Sequence, residues 1–380
     1  MHIVHITPHL PPDQAANALL PSQLGEWAVA RGDTVQYIAH PPRAGRAARV
    51  AGPVAWIPRT RGGPLQRWLR LGSIVNTRRM LRTARPLIAA ADVVHVHSNG
   101  LLAELGAHLA AAARKPLVLT LYGTEIWHYR PKRFGPDLFT RAYRAASAVT
   151  FYSDRLLLRA RELGLGRPEC RVIYPPVAPA FHFHDEDAQA AERQALGITQ
   201  RHLLVNVKRL HPLAGQRVLL EAMGEIVREH PDCRLVICGT GELLPDLQSV
   251  ARSAGVERHV TFAGLVDNST VARYVAAADL FVLPSLLEAL PTVAVEALAC
   301  GTPVVSSDNP GGLELNDLFG ADVEIVPREQ WGALANAIRA RLRQKRRTLG
   351  ATEAIVESRF RAGAVAAQYW DVYARAGAAG

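Results

Sequence analysis

Two glutamates eight residues apart, Glu288 and Glu296, lie in the segment Pro284-Ser285-Leu286-Leu287-Glu288-Ala289-Leu290-Pro291-Thr292-Val293-Ala294-Val295-Glu296. The first follows the strand-like run Leu280-Phe281-Val282-Leu283. Pro291 suits the first position of a helix, where its missing N–H costs nothing. Glu296 then falls inside that helix. At about 1.5 Å of rise per residue, the two carboxylates would stand roughly 10–12 Å apart, with a helix N-terminus between them. This spacing fits a sugar nucleotide, with hydroxyls at both ends and a diphosphate in the middle held by open N–H groups and the helix dipole. It also fits an amphipathic helix carrying two solvated acids, and spacing alone favours that plainer arrangement.

The elements that must position these residues follow a regular rhythm. Apolar strand-like runs at 2–6, 34–39, 93–97, 117–121, 148–152 and 171–174 are followed by a second series at 202–207, 234–238, 260–263, 280–283, 302–306 and 323–326. Stretches with helical periodicity, such as 19–31 and 101–113, fill the intervals. Strand–helix alternation with short turns predicts an α/β class with parallel sheets wrapped by helices. Pro175-Pro176 marks an extended linker after the sixth run. The expected organisation is a first doubly wound, Rossmann-like domain over 1–175 and a second over 176–362. A helical tail over 363–380 is expected to pack back across the domains. Two such domains would bring their strand ends, and their ligands, to a facing cleft.

The chain of 380 residues is 49% hydrophobic and 21% charged, a soluble globular composition with room for two cores. No apolar run reaches the length of a membrane span. Met1-His2-Ile3-Val4-His5-Ile6 reads as a first strand rather than a signal peptide, so a cytoplasmic location is expected. Cys170, Cys233, Cys238 and Cys300 form neither a C-x-x-C pair nor a zinc-like spacing, as in a reducing compartment. The net charge of +10 is concentrated: eleven arginines and no Asp or Glu lie between Arg43 and Arg85. Trp68, Leu69, Leu71, Ile74, Val75 and Leu81 interleave with them at helical spacing. Two readings stay open, a solvated basic face and a peripheral helix drawn to an anionic membrane or a phosphate-bearing acceptor. No nucleic-acid-binding pattern accompanies the charge, so nucleic acid is not expected as a partner.

Within this architecture, Pro-Ser-x-x-Glu-x7-Glu followed by Ala299-Cys300-Gly301-Thr302-Pro303-Val304-Val305 resembles the retaining glycosyltransferases of family 4, which have the GT-B fold. Val207-x-Arg209-Leu210, Gly239-Thr240-Gly241, Phe262-Ala263-Gly264-Leu265-Val266 and Gly311-Gly312-Leu313-Glu314 resemble further segments of that family. So do Asp92-Val93-Val94-His95-Val96-His97 and Leu121-Tyr122-Gly123-Thr124-Glu125 in the first half. The resemblances run in the family's order over most of the chain, which lifts the two-carboxylate reading above the plain helix.

The resemblance implies a role for each matching residue. Glu288 would hydrogen-bond the donor sugar, and Glu296 the two ribose hydroxyls. Backbone amides near Leu290, Thr292 and Val293, with Gly241 nearby, would hold the diphosphate. Arg209 would neutralise the leaving group through its guanidinium fork, and Val266 would line the base pocket. Four positions depart from the pattern: Ala214 stands for a lysine, Ala15-Ala16 for a glycine pair, Tyr122 for a histidine and Ala289 for a glycine. Lys208 is the nearest replacement cation, provided the strand has ended before it, since a strand would point Lys208 and Arg209 to opposite faces. Asp13, Asn17, Tyr122 and Glu125 are the acceptor-side candidates. His97 ends a strand at the expected cleft as a lone histidine, a position that fits a satisfied loop residue equally well.

The implied activity is transfer of a sugar from a nucleoside diphosphate, UDP before GDP-mannose, to an acceptor hydroxyl with retention. The acceptor would belong to polysaccharide, glycolipid or natural-product biosynthesis. No metal or other cofactor is expected. Asp185-Glu186-Asp187 matches the letters of a metal-binding Asp-x-Asp but sits in a polar stretch and is expected to be a solvated acidic run. A sugar-nucleotide epimerase and a non-catalytic donor-binding subunit are the alternatives.

Overall fold

Runs of Val, Ile and Leu bounded by Gly, Pro or Asp become parallel strands in the computed structural model, which describes residues 1–13, 15–42, 49–58, 71–98, 100–130, 137–165 and 169–378. The chain divides into two compact units, Met1–Pro175 with Val365–Gly380, and Pro176–Ala364. Each is a parallel sheet wrapped by helices, the Rossmann-like layering that the alternation predicts.

In the first unit the strands are β1 (His2–Thr7), β2 (Thr34–Ala39), β3 (Val54–Trp56), β4 (Val93–His97), β5 (Leu117–Leu121), β6 (Ala148–Phe151) and β7 (Cys170–Val172). They lie in the order β3-β2-β1-β4-β5-β6-β7. The pleat sends alternate side chains to opposite faces. Val4, Ile6, Val94, Val96, Leu119 and Leu121 therefore share one core with Met80, Ala84, Ile88 and Leu102. The other face pairs Ile3, Val35, Tyr37, Val93 and Val118 with Leu20, Leu24 and Ala28 of helix Ala16–Ala30. Val365, Tyr369, Val372 and Tyr373, from helix Ala362–Ala378 at the far end of the chain, are buried in that same core. β3 is absent from the sequence reading because three half-buried residues are too few to show a period.

The second unit holds β8 (His202–Val207), β9 (Cys233–Cys238), β10 (Val260–Gly264), β11 (Leu280–Leu283), β12 (Val304–Ser307) and β13 (Val323–Val326). Their order is β10-β9-β8-β11-β12-β13. Leu204, Leu235, Ile237, Leu280, Val282 and Val305 are packed with Leu219, Met223 and Ile226 of helix Gln216–Glu229 and with Leu334 and Ile338 of helix Trp331–Gln344. The chain leaves β8 toward β9 on one side and later returns to β11 on the other. That reversal opens a crevice at the strand ends, the usual ligand position in open α/β sheets.

Candidate functional site

The donor-side residues named from sequence converge on the carboxyl ends of β8, β9, β10 and β11. β8 stops at Val207, so Lys208 and Arg209 lie beyond the strand and are freed from its alternation. Their backbone is clamped from β9's turn: the Lys208 N–H donates to the Cys238 carbonyl at 3.0 Å and the Leu210 N–H to the Thr240 carbonyl at 3.0 Å. This clamp is why the turn is glycine-rich. A Cβ at Gly239 would lie 2.1 Å from the Lys208 carbonyl oxygen, and one at Gly241 2.1 Å from that of Leu210. Gly241 thus makes room for the neighbouring chain. Val266 follows β10 and is half-buried. Its loop is tied to the same turn by the Gly239 N–H, which donates to the Gly264 carbonyl at 2.7 Å.

Glu288 sits in the loop after β11, and its Oε1 is 2.5 Å from Lys208 Nζ. Lys208 and Glu288, expected from sequence as the replacement cation and the sugar-side acid, therefore form an ion pair. Arg209 is exposed, and its guanidinium has no carboxylate partner among the described residues. The loop is held by residues that the sequence reading missed. Asn309 Nδ2 donates to the Ser285 carbonyl at 2.9 Å, the Ser307 hydroxyl donates to the same oxygen, and the Gly311 N–H donates to the Glu288 carbonyl at 3.1 Å. Gln216 is buried, with Nε2 3.4 Å from the carbonyls of both Lys208 and Arg209. A buried amide flanking a motif was the available signal for Gln216 and Asn309. Which chain each would hold was not in the sequence.

Pro291 occupies a different position from the expected one. The helix runs Thr292–Ala299, and Pro291 is its N-cap residue, extended at φ −79°, ψ 95°, rather than its first helical residue. No side chain caps this terminus. The N–H groups of Thr292 and Val293 thus have no intrahelical acceptor, nor do they or the Leu290 N–H have another partner among the described residues. Glu296, one turn on, also has no hydrogen-bonding partner among the described residues. Burial pushes its pKa up to about 7. A desolvated carboxylate and open N–H groups on one short helix suit a ligand that brings hydroxyl donors and a phosphate acceptor.

The acceptor-side candidates follow β1 and β5 in the first unit. Asp13 is bound to His9, Nδ1 to Oδ2 at 2.7 Å. Asn17 lies in the first turn of helix Ala16–Ala30, where its carbonyl accepts from the Thr7 hydroxyl and its Oδ1 is buried without a partner. Glu125 is buried and its Oε2 accepts from the N–H groups of Gly123 at 2.8 Å and Tyr122 at 3.3 Å, so this carboxylate organises its own turn. The Tyr122 hydroxyl is 2.7 Å from His97 Nδ1.

His97 is not a lone histidine. His97 Nε2 meets His5 Nδ1 at 3.0 Å, and His95 bridges Tyr373 at 2.7 Å and Thr120 at 2.6 Å. Among the described residues these three histidines form the group whose ligating atoms are close enough to one another, within 4.8 Å, to hold a metal. All of those nitrogens except His5 Nε2 are committed to hydrogen bonds within the protein. Burial lowers the His5 pKa to about 3, and burial with the neighbouring rings keeps His95 and His97 well below the usual value. Period-2 placement of His95 and His97 was the sequence signal for a shared face. The approach of His5 from β1 needed the sheet.

Much of the basic segment, including Arg43, Arg46, Arg59, Arg61, Arg67, Trp68, Leu69 and Arg70, lies outside the described residues. Helix Leu71–Ala90 carries exposed Arg78, Arg79, Arg82 and Arg85. Its Met80, Ala84 and Ile88 are buried in the first unit's core, and of the apolar residues named between the arginines, Leu81 packs partly against it; the side chains of Leu71, Ile74 and Val75 lie outside the described residues. Among the described residues, no helix is long and apolar enough to cross a membrane. Asp185 is more than a solvated acid: its Oδ1 accepts from the Ala188 N–H at 2.9 Å and caps helix Glu186–Ala195. The four cysteines are unpaired.

The family described as Glycosyl transferases group 1 matches residues 188–354, and Glycosyltransferase Family 4 matches residues 22–181. The chain is 31% identical over 262 residues to the GDP-mannose-dependent alpha-(1-6)-phosphatidylinositol monomannoside mannosyltransferase of Mycolicibacterium smegmatis, covering 65% of this chain and 66% of that one. It is 27% identical over 285 residues to the alpha-D-kanosaminyltransferase of Streptomyces kanamyceticus, covering 70% and 72%. Across the first three relatives the match spans between 59% and 66% of their own lengths. In fold, the chain is similar to Anabaena HepE solved with UDP, with a TM-score of 0.75, 22% identity and coverage of 98% and 100%.

Proposed function

Because the chain belongs to the family 4 glycosyltransferases, with the two Rossmann-like, parallel-sheet domains of the GT-B fold, we propose that it transfers a sugar from a nucleoside diphosphate to an acceptor hydroxyl with retention. The observation that carries this reading is Glu296. Burial raises its pKa to about 7, and it has no partner among the described residues; it sits on the helix whose first N–H groups are open. A ribose diol would supply the donors that the protein withholds, and the diphosphate would accept from Thr292 and Val293. Glu288 would hold the donor sugar. Arg209 and Lys208 would neutralise the departing diphosphate, with Lys208 exchanging its contact with Glu288 for phosphate oxygen.

The bond from the anomeric carbon to the phosphate oxygen breaks, and the acceptor oxygen bonds to that carbon on the same face. The acceptor proton passes to the departing phosphate oxygen. Two side-chain cations and helix amides supply the charge stabilisation, so the reaction is proposed to run without a metal. The base and acceptor follow only by analogy. One relative is named for GDP-mannose and phosphatidylinositol monomannoside, while HepE was solved with UDP. UDP-sugars are proposed first, and a glycan or lipid-linked acceptor reached from the cytoplasmic side. Exposed Arg78, Arg79, Arg82 and Arg85 support contact with an anionic surface.

A thermal-shift panel of nucleoside diphosphates and their sugars tests the reading, because a ligand that binds only the folded state raises its apparent stability. At least one nucleoside diphosphate should raise the melting temperature, and Glu296→Gln should abolish the rise. Transfer should survive EDTA and fall by at least about a hundredfold in Arg209→Ala, the scale for losing a charge-stabilising group. A donor converted to a stereoisomer without any acceptor would instead establish an epimerase.

A further inference from the structure

The second sheet has another cationic site, at the end of its strands opposite to Lys208 and Glu288. A cavity of about 340 Å³ opens beside the first residues of β8 and β11, lined by Arg193, Arg201, Arg341, Lys345, Arg346 and Arg347 but by only two acids, Glu186 and Asp279. β8 is six residues long. At about 3.3 Å per residue, the cavity lies roughly 16–20 Å from the strand end that carries Lys208.

Four of the six cations are fixed by the protein. Arg193 Nη1 reaches both Asp279 oxygens at 3.1 and 3.0 Å, Arg341 Nε donates to Glu324 at 2.7 Å, and Arg346 Nη1 is 3.1 Å from buried Asp322. Arg347 has no carboxylate partner among the described residues. Its guanidinium donates to the carbonyls of His184 and Ala278 at 3.0 Å each, to that of Cys300 at 2.5 Å and to the Thr302 hydroxyl at 3.2 Å. Burial lowers its pKa to about 10, so it stays cationic at neutral pH. The side chains of Arg201 and Lys345 are exposed and have no partner among the described residues. Arg193, Arg341 and Arg346 are matched by their carboxylates, so the uncompensated fixed charge is that of Arg347, and the two free cations at the rim can close on a ligand beside it. The volume lies in the range of small-ligand sites, about 300–1,000 Å³. The lining is too charged for an apolar aglycone and of the wrong sign for a metal.

We propose that this cavity binds a small phosphate-bearing molecule, a diphosphate or a phosphate ester, at a site separate from the donor site. A charge-assisted contact to each free cation, beside the carboxylate-free Arg347, would hold such an anion bidentately.

Calorimetry with inorganic pyrophosphate at low salt tests this on the full chain, without reference to sugar transfer. Removing the donor-side cations with Lys208→Ala/Arg209→Ala should leave one pyrophosphate site. Adding Arg201→Ala/Lys345→Ala should weaken that site at least tenfold. The melting temperature without ligand should not move, because neither removed side chain has a partner to lose. Loss of all binding in Lys208→Ala/Arg209→Ala, or binding indifferent to Arg201→Ala/Lys345→Ala, overturns the proposal. So does sedimentation with phosphatidylglycerol vesicles that depends on Arg201 and Lys345 while pyrophosphate fails to bind, since the phosphate recognised would then be a membrane's.

Discussion

A carboxylate left without a donor is costly to ionise, and Glu296 carries that cost in the free protein. Its pKa is about 7 when folded, against an ordinary carboxylate value when unfolded. The folded state therefore holds the proton more tightly. Stability is greatest below the unfolded pKa, declines as pH rises through the folded value near 7, and is level above it. Glu296→Gln removes the ionisation and should stabilise the ligand-free protein at pH 8 by roughly 1–3 kcal/mol in urea unfolding, the advantage vanishing near pH 4. The same variant should lose at least tenfold in nucleoside-diphosphate affinity. Wild-type affinity should rise from pH 6 to pH 8 as the carboxylate becomes a full acceptor. Stabilisation without loss of binding would assign Glu296 to structure alone. Lys208 shows the limit of a linear reading: its identity as a spare cation was legible, but its contact with Glu288 joins the ends of β8 and β11.

At the scale of the element, the loop after β11 is shaped more by the next loop than by its own sequence. Pro291 caps helix Thr292–Ala299 from outside, because the chain arrives extended and tied down through Ser285 and Glu288. Gly311 packs directly against this loop. An added Cβ would meet Glu288 Cβ at 2.8 Å, Pro291 Cδ at 2.9 Å and the Ala289 carbonyl oxygen at 3.0 Å. Gly311→Ala should therefore displace Glu288 and lower kcat for transfer by at least tenfold, about 1.4 kcal/mol of barrier. Gly332→Ala, where the new methyl meets nothing within 4 Å, should leave kcat unchanged. Equal rates in the two variants would show that Glu288 does not depend on this packing. Helix Leu71–Ala90 gives a second lesson in elements. Arginines at helical spacing suggested a surface helix, and the described part of it turns Met80, Ala84 and Ile88 into the core while Arg78, Arg79, Arg82 and Arg85 stay exposed.

Over the whole molecule, the first unit is assembled from both ends of the chain, and its second sheet face is polar at the centre. His5, His95, His97, Thr120 and Thr150 are fully buried there, with Tyr369 and Tyr373 of the C-terminal helix against the rings. The histidines are held neutral. Their folded pKa values lie below the unfolded one, so the unfolded chain takes up protons first and stability falls as the pH drops below about 6.5. For His5 the decline continues to about pH 3. Each such histidine contributes a slope of up to about 1.4 kcal/mol per pH unit. Urea midpoints should accordingly fall between pH 7 and pH 5, and less steeply in His5→Gln. A midpoint constant over that range would mean that the cluster is not held neutral.

Strand–helix alternation, the proline pair at the linker and the ordered motifs were enough to establish two parallel α/β domains and to name the candidate residues at their strand ends, because pleat, helix period and turn chemistry are local properties. Val54–Trp56 was invisible for the same reason, being too short to carry a period. What no local rule supplies is contact across strands. The Lys208–Glu288 pair, the hold of Asn309 and Gln216 on the site loops, the commitment of Glu125 to its own turn, and the gathering of His5 with His95 and His97 all join residues brought together by strand order. That order is set by the burial of whole sheets, a sum over distant side chains, so only the tertiary structure could decide which acids and cations meet and which are left for a ligand.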